Sequence, residues 1–349
     1  MRKVVYLLAA TAVITACGSK YAAVAENALK PNVVTQPTPN DTDDPAIWIN
    51  KQNPAQSLII GTDKEEETGG LYAYDLQGKI VNKVYPMDRP NNVDVAYDFV
   101  LNGEKMDIAV VTERKKHRIR IFSLPDLKPV DNGGIPVFED SEQKDPMGIA
   151  LYTNAQNGKM YAVVGRKEGL SGAYLYQYEL ITTNGTITGK LVRKFGTYSG
   201  KKEIEAIMVD NELGYIYYSD ETMGVRKYYA DPEKGNEELA FFGQTEFKRD
   251  HEGIALYKTN EKEGYILVSD QQANNFIVFK REGETNNPHQ HKMIAKIPFS
   301  TIESDGADAI NFNFGAPFEK GVFVAMSNGK VFHYYDWNII QQEIDKQAQ

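Results

Sequence analysis

The chain has 349 residues, enough for one large β domain or two ordinary ones, and no linker divides it after about residue 40. Its 48 Asp and Glu residues outnumber its 39 Lys and Arg residues, which gives a formal net charge of −9. This balance argues against nucleic acid or an anionic membrane surface as the main partner. A polyanionic substrate would need metal ions, or locally clustered Lys and Arg, to be held.

The N-terminus has the pattern of a targeting signal. Arg2 and Lys3 are followed by an apolar run, residues 4–14, that is too short to span a bilayer. The run ends in Ile14-Thr15-Ala16-Cys17, which resembles the lipobox of bacterial lipoproteins, where the cysteine carries lipid after cleavage. Because Cys17 is the only cysteine, it cannot form an intramolecular disulfide.

We therefore expect a signal peptide over residues 1–16, with lipidated Cys17 beginning a flexible tether over residues 17–32. The domain over residues 33–345 is then expected outside the cytoplasm, in the periplasm or on the outer-membrane surface. Acyl chains, not a spanning helix, would hold it on the membrane. An ordinary secretory signal with an incidental cysteine is the alternative.

Six short apolar strands open with an acidic, amide or small polar residue at intervals of roughly fifty residues. The gaps between successive markers are 50, 53, 58, 47 and 53, the markers being Asp44, Asp94, Met147, Glu205, Glu252 and Asp305. A period in this range is typical of a radial array of β-sheets. A second, apolar strand follows each opening after a turn, and several third strands alternate apolar with polar residues.

The pattern predicts an all-β protein, a six-bladed β-propeller of four-stranded antiparallel blades. A segment near Val33-Val34-Thr35 is expected to pair with the last blade and close the ring. Polar residues follow every second strand, and we place the acidic openings near the axis. Carboxylates crowded there would raise one another's pKa unless a cation lay between them, and Ca²⁺ suits many irregular oxygen ligands. The five His are scattered, so the sequence offers no zinc set.

Two ordered motifs resemble the signature pair of β-propeller phytases: residues 41–48, DTDDPAIW, and Asn91-Asn92-Val93-Asp94. The resemblance continues through Ser219-Asp220-Glu221, Asp250-His251-Glu252-Gly253 and Ser304-Asp305-Gly306, to about residue 337. Members of this family are six-bladed, calcium-dependent, secreted phosphatases that act on inositol hexakisphosphate, or phytate. The resemblance implies a phosphomonoester hydrolase of the 3-phytase type that releases inorganic phosphate by direct attack of a metal-bound water.

The resemblance also implies roles for individual residues. It assigns several Ca²⁺ ions to the ligands Asp43, Asp44, Asp94, Glu205, Glu221, Asp250, Glu252, Gln271 and Asp305. It places the substrate, phytate as its calcium complex, against Lys64, Arg89, Arg114, Lys167 and Glu168. Of these residues, Glu205 or Glu221 would orient the attacking water, while Lys64 and Arg114 would stabilise the reacting phosphate. The protein is expected to be a monomer.

Three positions depart from the family pattern. Met147 stands where the family has Tyr, Ser327-Asn328-Gly329-Lys330 replaces an Asp-Gly-x-Asn segment, and His333 replaces a Lys. Two other hypotheses remain open: a non-catalytic propeller that binds calcium or a glycan at a surface, and a lactonase-type propeller hydrolase. The latter would have one central metal and no use for the basic residues after the second strands.

Overall fold

The computed structural model describes residues 22–348 and is a six-bladed β-propeller, which confirms the predicted fold class. The strands of the six blades, given in chain order, are Thr42–Trp48, Leu58–Asp63, Gly69–Tyr74 and Ile80–Met87; Pro90–Leu101, Glu104–Glu113, Arg118–Leu124, Lys128–Pro129 and Ile135–Pro136; Pro146–Thr153, Met160–Arg166, Leu175–Thr183 and Thr186–Phe195; Ile207–Asp210, Tyr215–Asp220, Gly224–Tyr229 and Ala240–Phe242; Ile254–Lys258, Gly264–Asp270, Asn275–Lys280 and Met293–Pro298; and Ala307–Ile310, Val322–Ser327 and Val331–Asp336. Blade 2 has two short segments pairing with its third strand in place of one fourth strand.

The ring closes through the N-terminal strand. Val33–Val34 pairs antiparallel with Val331–Asp336, with Val33 opposite Tyr334 and Val34 opposite His333, and so completes blade 6. The predicted closure is therefore confirmed. Joining the two ends of the chain in one blade leaves no break between the first and last sheets.

The core is divided among the interfaces between neighbouring blades. In the described part of the chain, an apolar cluster fills each of the six interfaces. The second strands are apolar along their length because both of their faces are covered; Ile108 to Val111, for example, have no exposed surface. The first strands contact one another around the axis, so they are the innermost strands.

The ends of the described chain pack on blades 5 and 6. Composition predicts a flexible tether over residues 17–32, but the structure differs for residues 22–32: Leu29 pairs with Phe299, and Asn274 Nδ2 donates to the carbonyl oxygen of Ala22 at 3.1 Å. The signal peptide and Cys17 lie outside the described residues. A C-terminal helix, Trp337–Gln347, begins at the N-cap Asp336. Within residues 22–348, no helix has the length and apolar character needed to cross a membrane.

Candidate functional site

Strand register brings the acidic openings and the polar ends of the second strands to the same face of the ring. In blade 1 Thr42 lies opposite Asp63, and in blade 4 Ile207 lies opposite Tyr218. Because the pairs are antiparallel, the start of each first strand adjoins the end of its second strand. We call this end of the ring the cleft face.

A polar cleft of about 330 Å³ lies at the centre of the cleft face. Loops of all six blades line it, through Asp41, Lys64, Arg89, Asn91, Arg114, Met147, Lys167, Glu203, Glu205, Glu252, Gln271, Glu303, Asp305, Met326 and Asn328. The sequence therefore brings together residues more than 260 positions apart by repeating one loop geometry six times.

Lys64 joins carboxylates from the first and last blades. Its Nζ lies 2.7 Å from Asp43 Oδ1 and 2.5 Å from Asp305 Oδ2. Burial opposes the charge on Lys64, but Asp43, Asp305 and Glu205 outweigh it and hold the pKa of Lys64 well above its usual value. Lys64 is thus a permanent cation on the wall of the cleft.

Asn91 connects Asp43 to Glu205 across the cleft. Its Nδ2 donates to Asp43 Oδ2 at 2.9 Å and to Glu205 Oε1 at 3.2 Å. Gly148 allows this arrangement, because a Cβ at that position would lie 1.8 Å from the carbonyl oxygen of Glu205. Burial raises the pKa of Glu205 well above its ordinary value, and the nearby Asp43 raises it further.

A second acidic cluster lies beside Glu205. Glu221, Asp250 and Glu252 offer carboxylate oxygens that all lie within 4.8 Å of one another, and Glu221 also forms such a group with Glu203 and Glu205. Burial raises the pKa of Glu221 to about 7, and that of Glu252 well above its ordinary value. These carboxyl groups are held close together against their mutual repulsion.

Gln271 links the second acidic cluster to Asp305, the partner of Lys64. Its Nε2 donates to Glu252 Oε2 at 3.1 Å and to Asp305 Oδ1 at 2.6 Å. Burial raises the pKa of Asp305, whereas Lys64 acts in the opposite direction. The predicted residues Asp43, Glu205, Glu252, Gln271 and Asp305 therefore form one connected set.

Arg114 faces the same cleft from blade 2. It begins a short 3-10 turn, Arg114–Lys116, directly after the second strand, and its backbone N–H donates to Arg89 O at 3.0 Å. Its guanidinium contacts the sulfur of Met147, the residue that departs from the family pattern. Burial lowers the pKa of Arg114.

Two of the three remaining predicted substrate-binding residues, Arg89 and Lys167, line the cleft. Lys167 lines the cleft and pairs with Glu203 at 2.7 Å, and Arg89 lies 3.8 Å from Glu66. Glu168 does not line the cleft; it borders a neighbouring depression with His117 and Asp145. Lys167 borders both the cleft and this depression, whereas Glu168 borders the depression alone.

Asp44 and Asp94 also lie outside the cleft, although the resemblance groups them with its ligands. Together with Asp308 they line the channel along the propeller axis. Asp44 accepts the backbone N–H of Val93, and Asp94 accepts that of Leu151 at 2.7 Å. Burial raises the pKa of Asp94 to about 7 and that of Asp308 to about 6. The channel therefore holds a separate group of three acids.

The cleft residues fit a hard cation such as Ca²⁺. Three oxygen atoms are buried without a hydrogen-bond donor: Asn91 Oδ1 in the cleft, and Glu221 Oε1 and Asp250 Oδ1 in the adjoining acidic cluster. Buried acceptors are rarely left without a partner, and Ca²⁺ takes six to eight such oxygens in irregular geometry. The donor set contains no cysteine and no histidine among the residues lining the cleft, as expected for this class of cation.

Sequence reasoning missed three residues of the site. Lys202 contacts Glu221 and Asp250 at 2.9 and 2.8 Å, Glu203 joins the first acidic group, and Asp308 lies in the channel. Lys202 and Glu203 lie in an irregular segment before blade 4, where the strand pattern gives no signal. Of the departures, Met147 and Asn328 line the cleft, whereas His333 lies in a blade 6 strand away from it.

Two sequence comparisons with known proteins each cover most of the chain. The family profile described as Phytase matches residues 2–347. A 3-phytase of Bacillus subtilis (strain 168) is 31% identical over 322 residues, which cover 86% of this chain and 81% of that protein.

Solved structures show the fold alone. The β-propeller domain of Cps50 (Swd1) from Myceliophteria thermophila aligns with a TM-score of 0.53 and 9% identity, covering 86% of this chain and 84% of that one. A chain of the Mitotic Checkpoint Complex aligns with a TM-score of 0.51 and 9% identity, covering 92% of this chain and 98% of that one.

Proposed function

The chain belongs to the phytase family, and from this premise we propose that it hydrolyses the phosphomonoesters of phytate with Ca²⁺ bound in the cleft. One observation carries the proposal: the cations Lys64 and Arg114 line the same cleft as the buried carboxyl groups of Glu205 and Glu252. The adjoining acidic cluster adds two buried oxygens without a hydrogen-bond donor, Glu221 Oε1 and Asp250 Oδ1. Carboxylates suit calcium and the cations suit phosphate, so this cleft suits a calcium complex of a phosphate ester.

Charge explains why both kinds of group are needed. The protein carries a formal net charge of −9, and phytate is itself a polyanion. Two species of the same sign approach each other only where local charge is reversed. The residues that would hold Ca²⁺ at the cleft are Asp43, Glu205, Glu221, Asp250, Glu252, Gln271 and Asp305. When bound, Ca²⁺ supplies positive charge that offsets the charge on the phosphate oxygens and acidifies nearby water.

Lys64 and Arg114 bind the phosphate that reacts. The planar guanidinium of Arg114 can donate two parallel hydrogen bonds, whereas Lys64 contributes a compact charge. Their positions are fixed before substrate arrives, because Asp43 and Asp305 hold Lys64 and the backbone of Arg89 holds that of Arg114. Preorganised cations stabilise the charge that spreads over the phosphate oxygens in the transition state.

Glu205 orients the attacking water. Its Oε1 accepts from Asn91, which leaves Oε2 to take the proton from the water. Burial raises the pKa of Glu205 in the calcium-free protein, whereas bound Ca²⁺ would favour the ionised form, in which the carboxylate can accept a proton. Among the residues that line the cleft, none is Ser, Thr, Cys or His, and Glu205, Glu252 and Asp305 are assigned to calcium, so we propose attack by water without a phospho-enzyme.

We propose further that lipid on Cys17 anchors the protein to a bacterial membrane on its extracytoplasmic side, and that it acts as a monomer. The support is the sequence around the lipobox-like Ile14-Thr15-Ala16-Cys17. Incorporation of labelled fatty acid by the expressed full chain tests the anchor, and its absence would contradict it.

Phosphate release from phytate tests the catalytic proposal. The purified protein is assayed with added Ca²⁺, with a chelator, and with Ca²⁺ restored in excess of the chelator. We expect release that stops in the chelator and returns on restoration. Undiminished release after complete chelation would refute the role of calcium, and no release in any condition would refute the substrate.

A further inference from the structure

Lys202 places an ammonium group at the oxygens that would hold a metal ion. Its Nζ lies 2.9 Å from Glu221 Oε2, 2.8 Å from Asp250 Oδ2 and 3.9 Å from Glu252 Oε1. We propose that Lys202 is an internal counter-cation, which neutralises this acidic group in the calcium-free protein and is displaced when Ca²⁺ binds. The inference rests on the proposed binding of calcium in the cleft.

Lys202 and Ca²⁺ compete for the same oxygens. Ca²⁺ lies about 2.3–2.6 Å from each of its oxygen ligands, so it would occupy the space between these carboxylates. An ammonium less than 3 Å from the same oxygens would be within a few ångströms of the ion, where like charges repel strongly. Ca²⁺ bound at these oxygens therefore favours the departure of Lys202.

Exposure shows which of the partners can move. The side chain of Lys202 is 40% exposed, whereas those of Glu221, Asp250 and Glu252 are 0%, 9% and 10% exposed. The hydroxyl of Tyr198 donates to the backbone carbonyl of Lys202 and fixes the chain at this point. The flexible stem of Lys202 can therefore leave toward solvent while the backbone and the carboxylates remain in place.

Two other lysines of the molecule differ in this respect. Lys64 has a side chain that is only 18% exposed, and it joins Asp43 to Asp305 in the wall of the cleft. Lys227 is fully buried and donates to Pro288 O. Lys202 combines close contacts to two proposed calcium ligands with a path to water.

Exchange of cations predicts two opposite effects of removing Lys202. Without its counter-cation, the acidic group repels itself in the calcium-free protein, so that form is less stable. Without its competitor, Ca²⁺ binds more tightly. A residue with a merely structural role would weaken the fold without tightening the binding of calcium.

The test compares the wild-type full chain with Lys202→Met and with the matched control Lys201→Met, which changes the exposed lysine next in the chain. Calorimetric titration with Ca²⁺ is expected to show about 5- to 30-fold tighter binding at one site in Lys202→Met, as for loss of one or two partly exposed ion pairs. In chelator, the same variant is expected to melt at a lower temperature than wild type. The control is expected to match wild type in both measurements.

A second measurement needs no variant. An amine-acylating reagent is applied to the wild-type protein in chelator and in Ca²⁺, and modification of Lys202 relative to Lys201 is measured by mass spectrometry. We expect Lys202 to be protected in chelator and modified several-fold faster in Ca²⁺. This measurement tests the displacement of Lys202 by Ca²⁺ even if Lys202→Met does not fold.

The outcomes separate the inference from the function on which it rests. Calcium binding with equal affinity in Lys202→Met, or unchanged modification of Lys202 on adding Ca²⁺, would overturn the exchange and leave the proposed function intact. Failure of the wild-type protein to bind Ca²⁺ at all would overturn both.

Discussion

Replacing Glu221 by Gln removes one buried carboxyl whose pKa is raised by burial from 4.5 to about 7. The native state therefore binds this proton more tightly than the unfolded chain does. By linkage, the stability associated with the proton is fully present below pH 4.5 and is lost as the pH rises through 7. The shift of about 2.5 units (7 − 4.5) corresponds to about 3 kcal/mol at about 1.4 kcal/mol per unit.

The assay is urea unfolding of the metal-free protein at pH 4.5 and at pH 8. Wild type is expected to lose about 3 kcal/mol more stability between these pH values than Glu221→Gln. Asp94 and Asp308 change stability in the same direction but are present in both proteins, so the difference reports Glu221 together with its effect on the pKa of Glu252. The control is Glu261→Gln, an exposed site, which is expected to follow wild type. Equal losses of stability in wild type and Glu221→Gln would show that the pKa of Glu221 is not raised in the folded protein.

Three further substitutions test separate parts of the account. Glu205→Gln is expected to lower kcat on phytate by about 10²- to 10⁴-fold, as for loss of a general base, while urea unfolding in chelator shows a folded protein; near-normal kcat would remove Glu205 from the mechanism. Arg114→Met is expected to lower kcat/KM by about 10- to 150-fold, the effect of losing a charged hydrogen bond, and an unchanged value would place the phosphate elsewhere. Trp337→Ala removes a buried ring stacked 3.4 Å from Tyr257, far from the cleft. This variant is expected to have a free energy of unfolding about 3–5 kcal/mol lower than wild type, with kcat unchanged. A fall in kcat in the folded variant would contradict the independence of this packing from the cleft.

The repeat made the fold predictable. Its openings, such as Gly148-Ile149-Ala150-Leu151-Tyr152 and Gly253-Ile254-Ala255-Leu256-Tyr257, recur because each blade must present the same apolar first strand to the axis. The strand near Val33 could be assigned to the last blade for the same reason, since a ring needs a partner for its final sheet.

The site was only partly predictable. Asp43 and Asp44 are adjacent in sequence, yet Asp43 contacts Lys64 and Asp44 faces the axial channel, because successive side chains of a strand point to opposite sides. The resemblance alone grouped both as ligands of one kind. Alternation along the strand was a signal that could have separated them.

Lys202 could not be found from the pattern. It lies in an irregular segment, and its contacts with Glu221 and Asp250 depend on how blades 4 and 5 pack. Composition likewise predicted a flexible tether over residues 17–32, whereas in its described part Ala28 is buried and Leu29 pairs with Phe299. In both places tertiary contacts decide the conformation, and local sequence carries little information about them.

We propose that carboxylates of the cleft and of the adjoining acidic cluster hold calcium ions against which a phosphate ester can bind. Anomalous diffraction from crystals soaked in CaCl₂ tests it most directly. We expect anomalous peaks about 2.3–2.6 Å from oxygens of Glu205, Glu221, Asp250 and Glu252. We also expect the side chain of Lys202 to have moved away from Glu221 and Asp250. Well-ordered carboxylates without a peak between them, and with Lys202 still paired to Glu221, would contradict it.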